Sequence, residues 1–170
     1  MKRLVAMVLL TVILNTNCVY AQQTTPLPRL EKKNIQQKPL YERDIPLDTK
    51  YQKYLYEQCE EYKVPYALAL AVIDQETGGT FNHDLISSTS DYGLFQINKV
   101  HHDWLRDAGC TNLLKPEHNI IAGLMILSNA ISRTNSLEEA LVMYNMGSGA
   151  CKGIASNNYS KSVMEKMKGY

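Results

Sequence analysis

Carboxyl, thiol and imidazole groups are the side chains here that could do chemistry, and one carboxyl stands apart by its setting. Glu76 comes near the end of the stretch Val72-Ile73-Asp74-Gln75-Glu76-Thr77-Gly78-Gly79. Upstream, Ala67, Leu68, Leu70, Ala71, Val72 and Ile73 are apolar almost all round, the pattern of a helix buried in a core. Pro65 suits its first turn, where the missing N–H is not needed. Gly78-Gly79 ends it, because glycine takes the left-handed conformation that other residues avoid. Glu76 is therefore expected on the last turn of a rigid, buried element. A carboxyl half-buried against apolar walls has its neutral form favoured and can carry a proton near neutral pH. The same residue turned fully to solvent would be an ordinary helix-end glutamate.

The thiols and imidazoles are less organised. Cys59, Cys110 and Cys151 remain if an N-terminal signal containing Cys18 is removed, and an odd count in an exported chain means a free thiol or an intermolecular bond. Cys110 and Cys151 could pair, but no spacing argument requires it. A thiol nucleophile would need an imidazole partner from His101, His102 or His118, and no cysteine-enzyme signature surrounds any of the three thiols. The histidines lack metal-ligand spacing, so no metal is assigned, and no cofactor is expected.

The elements that must position these groups follow in chain order. Met1-Lys2-Arg3 precedes an apolar run, Leu4–Leu14, of 11 residues, short for a bilayer span and suited to a secretory signal with cleavage after Ala21, an uncleaved membrane anchor being the alternative. Residues 22–47 carry Pro26, Pro28, Pro39 and Pro46 with few large apolar side chains, and read as a flexible linker. From Asp48, a helix cap, apolar residues recur at helical spacing through Tyr51, Leu55, Cys59 and Tyr62. The Glu76 helix follows, then a loop or small hairpin over Thr80–Tyr92. A short helix, Val100–Ala108, comes next, and Pro116 opens a long one through Ile131. Ser136-Leu137-Glu138-Glu139 reads as a capping box leading into Ala140–Met146, and Tyr159–Lys168 as a final helix. Residues 48–170 make one mainly α domain, large enough for a single core. This domain holds 11 basic and 14 acidic residues, so nucleic acid is disfavoured as a partner.

Three stretches in order carry a resemblance. They are Glu76-Thr77, Gly93-Leu94-Phe95-Gln96 and Met143-Tyr144-Asn145-Met146-Gly147, with Pro116–Gly123 before the last. Over about residues 50–150 the chain resembles the lytic transglycosylases, lysozyme-like enzymes that cut bacterial peptidoglycan. The resemblance implies a lysozyme-like single domain with its hairpin region beside the cleft. It implies cleavage of the MurNAc-GlcNAc β-1,4 bond with formation of 1,6-anhydromuramoyl ends, Glu76 acting as both acid and base. By the same resemblance, Thr77, Gly93, Gln96, Tyr144 and Asn145 would bind substrate, with the Tyr144 phenol also holding Glu76. Phe95 and Met143 read as packing, and Trp104 as core rather than cleft wall. The partner implied is a peptidoglycan glycan strand, met by a secreted monomer in the cell envelope with no stable membrane span.

One departure opens an alternative. Ser90-Asp91-Tyr92-Gly93-Leu94-Phe95-Gln96-Ile97-Asn98 is similar to the corresponding stretch of animal-type lysozymes, where the aspartate is a second catalytic carboxylate. Asp91 is thus either a partner to Glu76 in hydrolysis or a turn aspartate bonding its own backbone. A non-catalytic wall-binding module on the same scaffold is the remaining class.

Overall fold

The computed structural model describes residues 39–170. The expected signal, residues 1–21, and most of the expected linker lie outside the described residues. Six α-helices are present among them: α1 (Thr49–Tyr62), α2 (Tyr66–Thr77), α3 (His102–Asp107), α4 (Pro116–Ser132), α5 (Leu137–Met146) and α6 (Asn158–Met167). One two-stranded antiparallel ribbon joins β1 (Asp91–Tyr92) to β2 (Ile97–Asn98), with Asp91 opposite Asn98. The architecture is mainly α and lysozyme-like, with the small ribbon between α2 and α3.

Helix α2 is the axis of the packing. Leu68 through Ile73 are all fully buried, as a helix apolar on every side requires. It packs against α1 and α6, while α4 packs against α1 and α5, and α5 against α6. The Asp48 carboxylate caps α1 through the Lys50 N–H at 2.9 Å. Pro65 stands just before the first turn of α2 as its cap, one place earlier than the sequence pattern suggests. Gly78, at φ 60°, receives the chain as α2 ends. The expected box at α5 forms by half. Ser136 Oγ accepts the Glu139 N–H at 3.2 Å, but the Glu139 carboxylate takes the N–H of Asn135 instead. A complete box caps α6, where Asn157 and Ser160 exchange bonds.

The segment just before α1 is tied to the domain. Leu47 is buried in the core. The Gln52 side-chain amide donates to the carbonyls of Arg43 and Leu47 at 3.2 and 2.7 Å, and its oxygen accepts the Arg43 N–H. The Arg43 guanidinium reaches the Tyr170 carbonyl at 3.2 Å, and the Tyr66 phenol donates to the Tyr41 carbonyl at 2.7 Å. Residues 41–47 therefore belong to the packed body, not to the expected linker. Their alternation of polar anchors with Ile45 and Leu47 is too short to register as a pattern against the surrounding prolines.

Candidate active site

Glu76 opens into a cleft of about 410 Å³ that Asp91, Gln96, Asn98, Tyr144 and Asn145 also line. Helix α2 brings the carboxyl there from the core side, the ribbon forms one wall, and the C-terminal end of α5 forms another. Burial pushes the Glu76 carboxyl up, a hydrogen bond from Tyr159 pulls it down, and the nearby Asp91 charge raises it again. The balance is a pKa of about 7, against an ordinary 4.5. Such a group is part protonated and part ionised at neutral pH, the condition for giving a proton and taking it back.

The hydroxyl that holds Glu76 is that of Tyr159, whose phenol donates to Glu76 Oε1 at 2.5 Å. The expectation that Tyr144 would do this is corrected: its phenol donates to the Phe95 carbonyl at 2.8 Å. Tyr144 still lines the cleft, and it fixes the loop that carries Gln96. Tyr159 is the first of a polar row on α6 and beyond that meets the end of α2. Ser162 donates to Gln75 at 2.7 Å, Lys166 pairs with Asp74 at 2.7 Å, and Tyr170 donates to the other Asp74 oxygen at 2.8 Å. The spacing of 159, 162, 166 and 170 marks one helical face, and that polar stripe was the signal available in the sequence.

Two expected substrate contacts turn out to be internal. Thr77 is buried, and its hydroxyl donates to the Ile73 carbonyl at 2.7 Å while accepting the Phe81 N–H at 3.0 Å. Both capacities are used to hold the turn that follows α2, where Phe81 has φ 52°. Gly93, at φ 71°, is approached by protein rather than saccharide. A Cβ there would come within 2.4 Å of Asn119 Nδ2 and 2.7 Å of the Leu113 carbonyl. Asn119, fully buried on α4, accepts the Phe95 N–H at 2.8 Å and donates to the carbonyls of Tyr92 and Leu113 at 2.7 and 2.8 Å. One side chain thus holds both ends of the Tyr92–Phe95 turn.

Gln96 and Asn145 do face the cleft. Gln96 has φ 44°, and its side-chain N–H groups donate to the Gly93 and Leu85 carbonyls at 2.8 and 3.3 Å, which sets the orientation of the amide. Asn145 is exposed, with its Oδ1 at 3.4 Å from the Asn157 amide. Phe95 packs as expected, fully buried against Gly123 of α4. Trp104 corrects the reading of it as core. It is 41% exposed, its indole N–H donates to His101 Nδ1 at 3.2 Å, and it lies on a shallow hollow adjoining the cleft at His101 and Ile126. Helix α3 is too short to bury a face as wide as an indole.

Asp91 is held as a carboxylate. Partial burial would raise it, but hydrogen bonds from Thr89, Ser87 and Asn98 outweigh that and keep it below the usual carboxylate range. Ser87 donates at 2.7 Å, Asn98 at 2.6 Å, and Thr89 adds a short bond. The two carboxyls on this cleft are thus driven apart, one toward neutrality and one toward charge. Cys59, Cys110 and Cys151 are all free thiols, and Cys59 is pushed up to about 12 by burial, which makes it inert as a nucleophile. Among the described residues, no group of three His, Cys, Asp or Glu side chains is arranged to hold a metal ion.

A mainly helical domain that presents one half-buried, protonatable carboxyl at a cleft beside a short ribbon defines the lysozyme-like class. The Transglycosylase SLT domain family matches residues 53–166, about two thirds of the chain, and the chain belongs to that family.

Proposed function

We propose that this protein is a peptidoglycan lytic transglycosylase in which Glu76 serves as the single acid and base. The observation that carries this reading is the Glu76 carboxyl itself, raised to about 7 by burial and gripped by Tyr159 at the cleft. Its proton passes to the glycosidic oxygen as the bond to the muramic C1 breaks, and the departing sugar leaves with a free 4-hydroxyl. The cation left at C1 is stabilised by the substrate's own acetamido oxygen. Glu76, now a carboxylate, takes the proton of the same sugar's 6-hydroxyl, whose oxygen closes on C1. Glu76 ends as it began and no water is consumed, so one carboxyl suffices. Gln96 and Asn145 supply amides on the cleft wall for the sugar's acetamido groups. The substrate belongs to the cell envelope, and that is the proposed site of action of an exported, monomeric protein. Among the described residues no helix is long and apolar enough to cross a membrane.

Asp91 favours a second reading, hydrolysis with two carboxylates, because it lines the same cleft and stays ionised. Its oxygens are already engaged by three side-chain donors, which suits a fixed negative charge better than a nucleophile. Mass spectrometry of the muropeptides released from purified walls separates the readings, since anhydro and reducing ends differ by one water. Anhydro ends, with only a modest rate loss in Asp91→Asn, are expected. Reducing ends alone, coupled to an inactive Asp91→Asn protein, would establish a hydrolase instead.

A further inference from the structure

A groove leaves the cleft beside Gly147 and ends on two cations. Its first hollow, about 110 Å³, shares Tyr144 and Gly147 with the cleft and reaches Arg133 and Ser148. The second, about 390 Å³, shares Arg133 and Ser148 with the first and continues to Lys152. At Gly147 the path is open, since a Cβ there would meet no heavy atom within 4 Å. Neither Arg133 nor Lys152 forms an ion pair among the described residues. Glu139, the acid in the same groove, is turned to the start of α5, where its Oε2 accepts the Asn135 N–H at 2.9 Å.

The amino-sugar backbone itself carries no charge that would call for these cations. Carboxylates occur instead on the peptide that branches from the lactyl group of the muramic residue. A muramic unit poised over Glu76 must send that branch out of the cleft, and this groove is a polar exit continuous with it. We propose that the groove takes the acidic peptide stem, with a stem carboxylate meeting the Arg133 guanidinium and Lys152 adding a second positive charge. The inference rests on the reading of the chain as a peptidoglycan-cleaving enzyme, and adds that it selects strands still bearing their peptides. A guanidinium suits this task because its planar fork pairs with a carboxylate through two parallel bonds.

The test compares full-length protein with its Arg133→Gln, Arg133→Lys and Arg133→Glu variants on two substrates. One is glycan strands with peptide stems, the other the same strands stripped of stems by an amidase; binding is read by co-sedimentation separately from cleavage. Because Arg133 is exposed, all three variants are expected to fold, and circular dichroism checks this. Arg133→Gln should lower kcat/KM and binding on stem-bearing strands by about 3–10-fold, the scale of one partly exposed charge-assisted bond. Arg133→Glu should lower both further, Arg133→Lys should retain part of the difference, and stripped strands should be cleaved equally by all four proteins. Equal losses on both substrates, or none on either, would overturn the stem site while leaving the enzyme intact. A protein that cleaves neither substrate, yet holds stem-bearing strands in an Arg133-dependent way, would overturn the catalytic reading and keep this one.

Discussion

As the proposed acid and base, Glu76 must be acidic enough to ionise and basic enough to hold a proton, and its surroundings pull it both ways. Burial and the charge of Asp91 favour the acid, while the Tyr159 phenol, a donor, favours the carboxylate. In the proposed reaction the acid form of Glu76 acts first, so kcat/KM should fall as pH rises through about 7. Tyr159→Phe removes the donor that stabilises the carboxylate, so this alkaline limb should move to higher pH, and the rate should drop because the carboxyl is no longer held. A merely structural role for Tyr159 would lower the rate and leave the limb in place. Glu76→Gln should cost on the order of 10²–10⁴-fold in activity, the usual contribution of general acid–base catalysis. The same substitution should stabilise the protein at high pH. Below about pH 4.5 folded and unfolded chains both hold the proton; between 4.5 and 7 only the folded chain does, so stability falls as pH rises and the loss is complete above 7. A shift from 4.5 to about 7 corresponds to a loss on the order of 3 kcal/mol. Glutamine has no proton to lose, so denaturant unfolding at pH 4.5 and 8.5 should show the variant gaining on the native protein by about that amount.

At the scale of elements, α4 supports the ribbon side of the cleft and itself reaches it through Ile126. Asn119 closes the Tyr92–Phe95 turn, and one helical turn later Gly123 leaves room for the Phe95 ring. Alanine in place of a mid-helix glycine ordinarily gains about 1 kcal/mol. Here a Cβ would lie 2.1 Å from Phe95 Cγ, inside a core where the ring is fully buried. Gly123→Ala should therefore destabilise by about 1–3 kcal/mol in urea unfolding. It should also depress activity beyond that, because displacing Phe95 disturbs the carbonyl that Tyr144 binds and the adjoining Gln96. The helices were legible in the sequence because caps and periodicity are local: Asp48 and Ser136 cap where their types suggest, and α2 is buried on every side as its composition requires. Which tyrosine grips Glu76 was not legible. Tyr144 and Tyr159 sit on neighbouring helices, and only the packing of α6 against α2 decides between them. Thr77 and Gly93 show the same limit, since a recognisable stretch marks that a position matters but not whether its contact is substrate or protein. Trp104 was misread because the shortness of α3, not the apolar nature of indole, determines its exposure.

For the molecule as a whole, the N-terminal edge of the packed body decides what can be removed. Composition places that edge at Asp48, where prolines give way to helical periodicity, yet Arg43 and Leu47 are built into the domain. A chain starting at Asp48 keeps the α1 cap but loses the buried Leu47 side chain, worth about 1.5–3 kcal/mol. It also leaves the buried Gln52 amide without the Arg43 and Leu47 carbonyls it donates to, a further cost of about 1–3 kcal/mol unless water replaces them. The loss of Arg43 also frees the Tyr170 carbonyl, near where Tyr170 and Lys166 hold Asp74 on the helix that carries Glu76. A chain starting at Pro39 retains all these contacts. Urea unfolding of the two truncated proteins should separate them by about 3–5 kcal/mol, of the size expected for losing one core side chain and one buried polar pairing together. The shorter protein should also cleave wall fragments more slowly above its stability margin, as α6 loosens from α2. Equal stability of the two would show that Gln52 and the exposed core surface recruit replacements, and would return the domain boundary to Asp48.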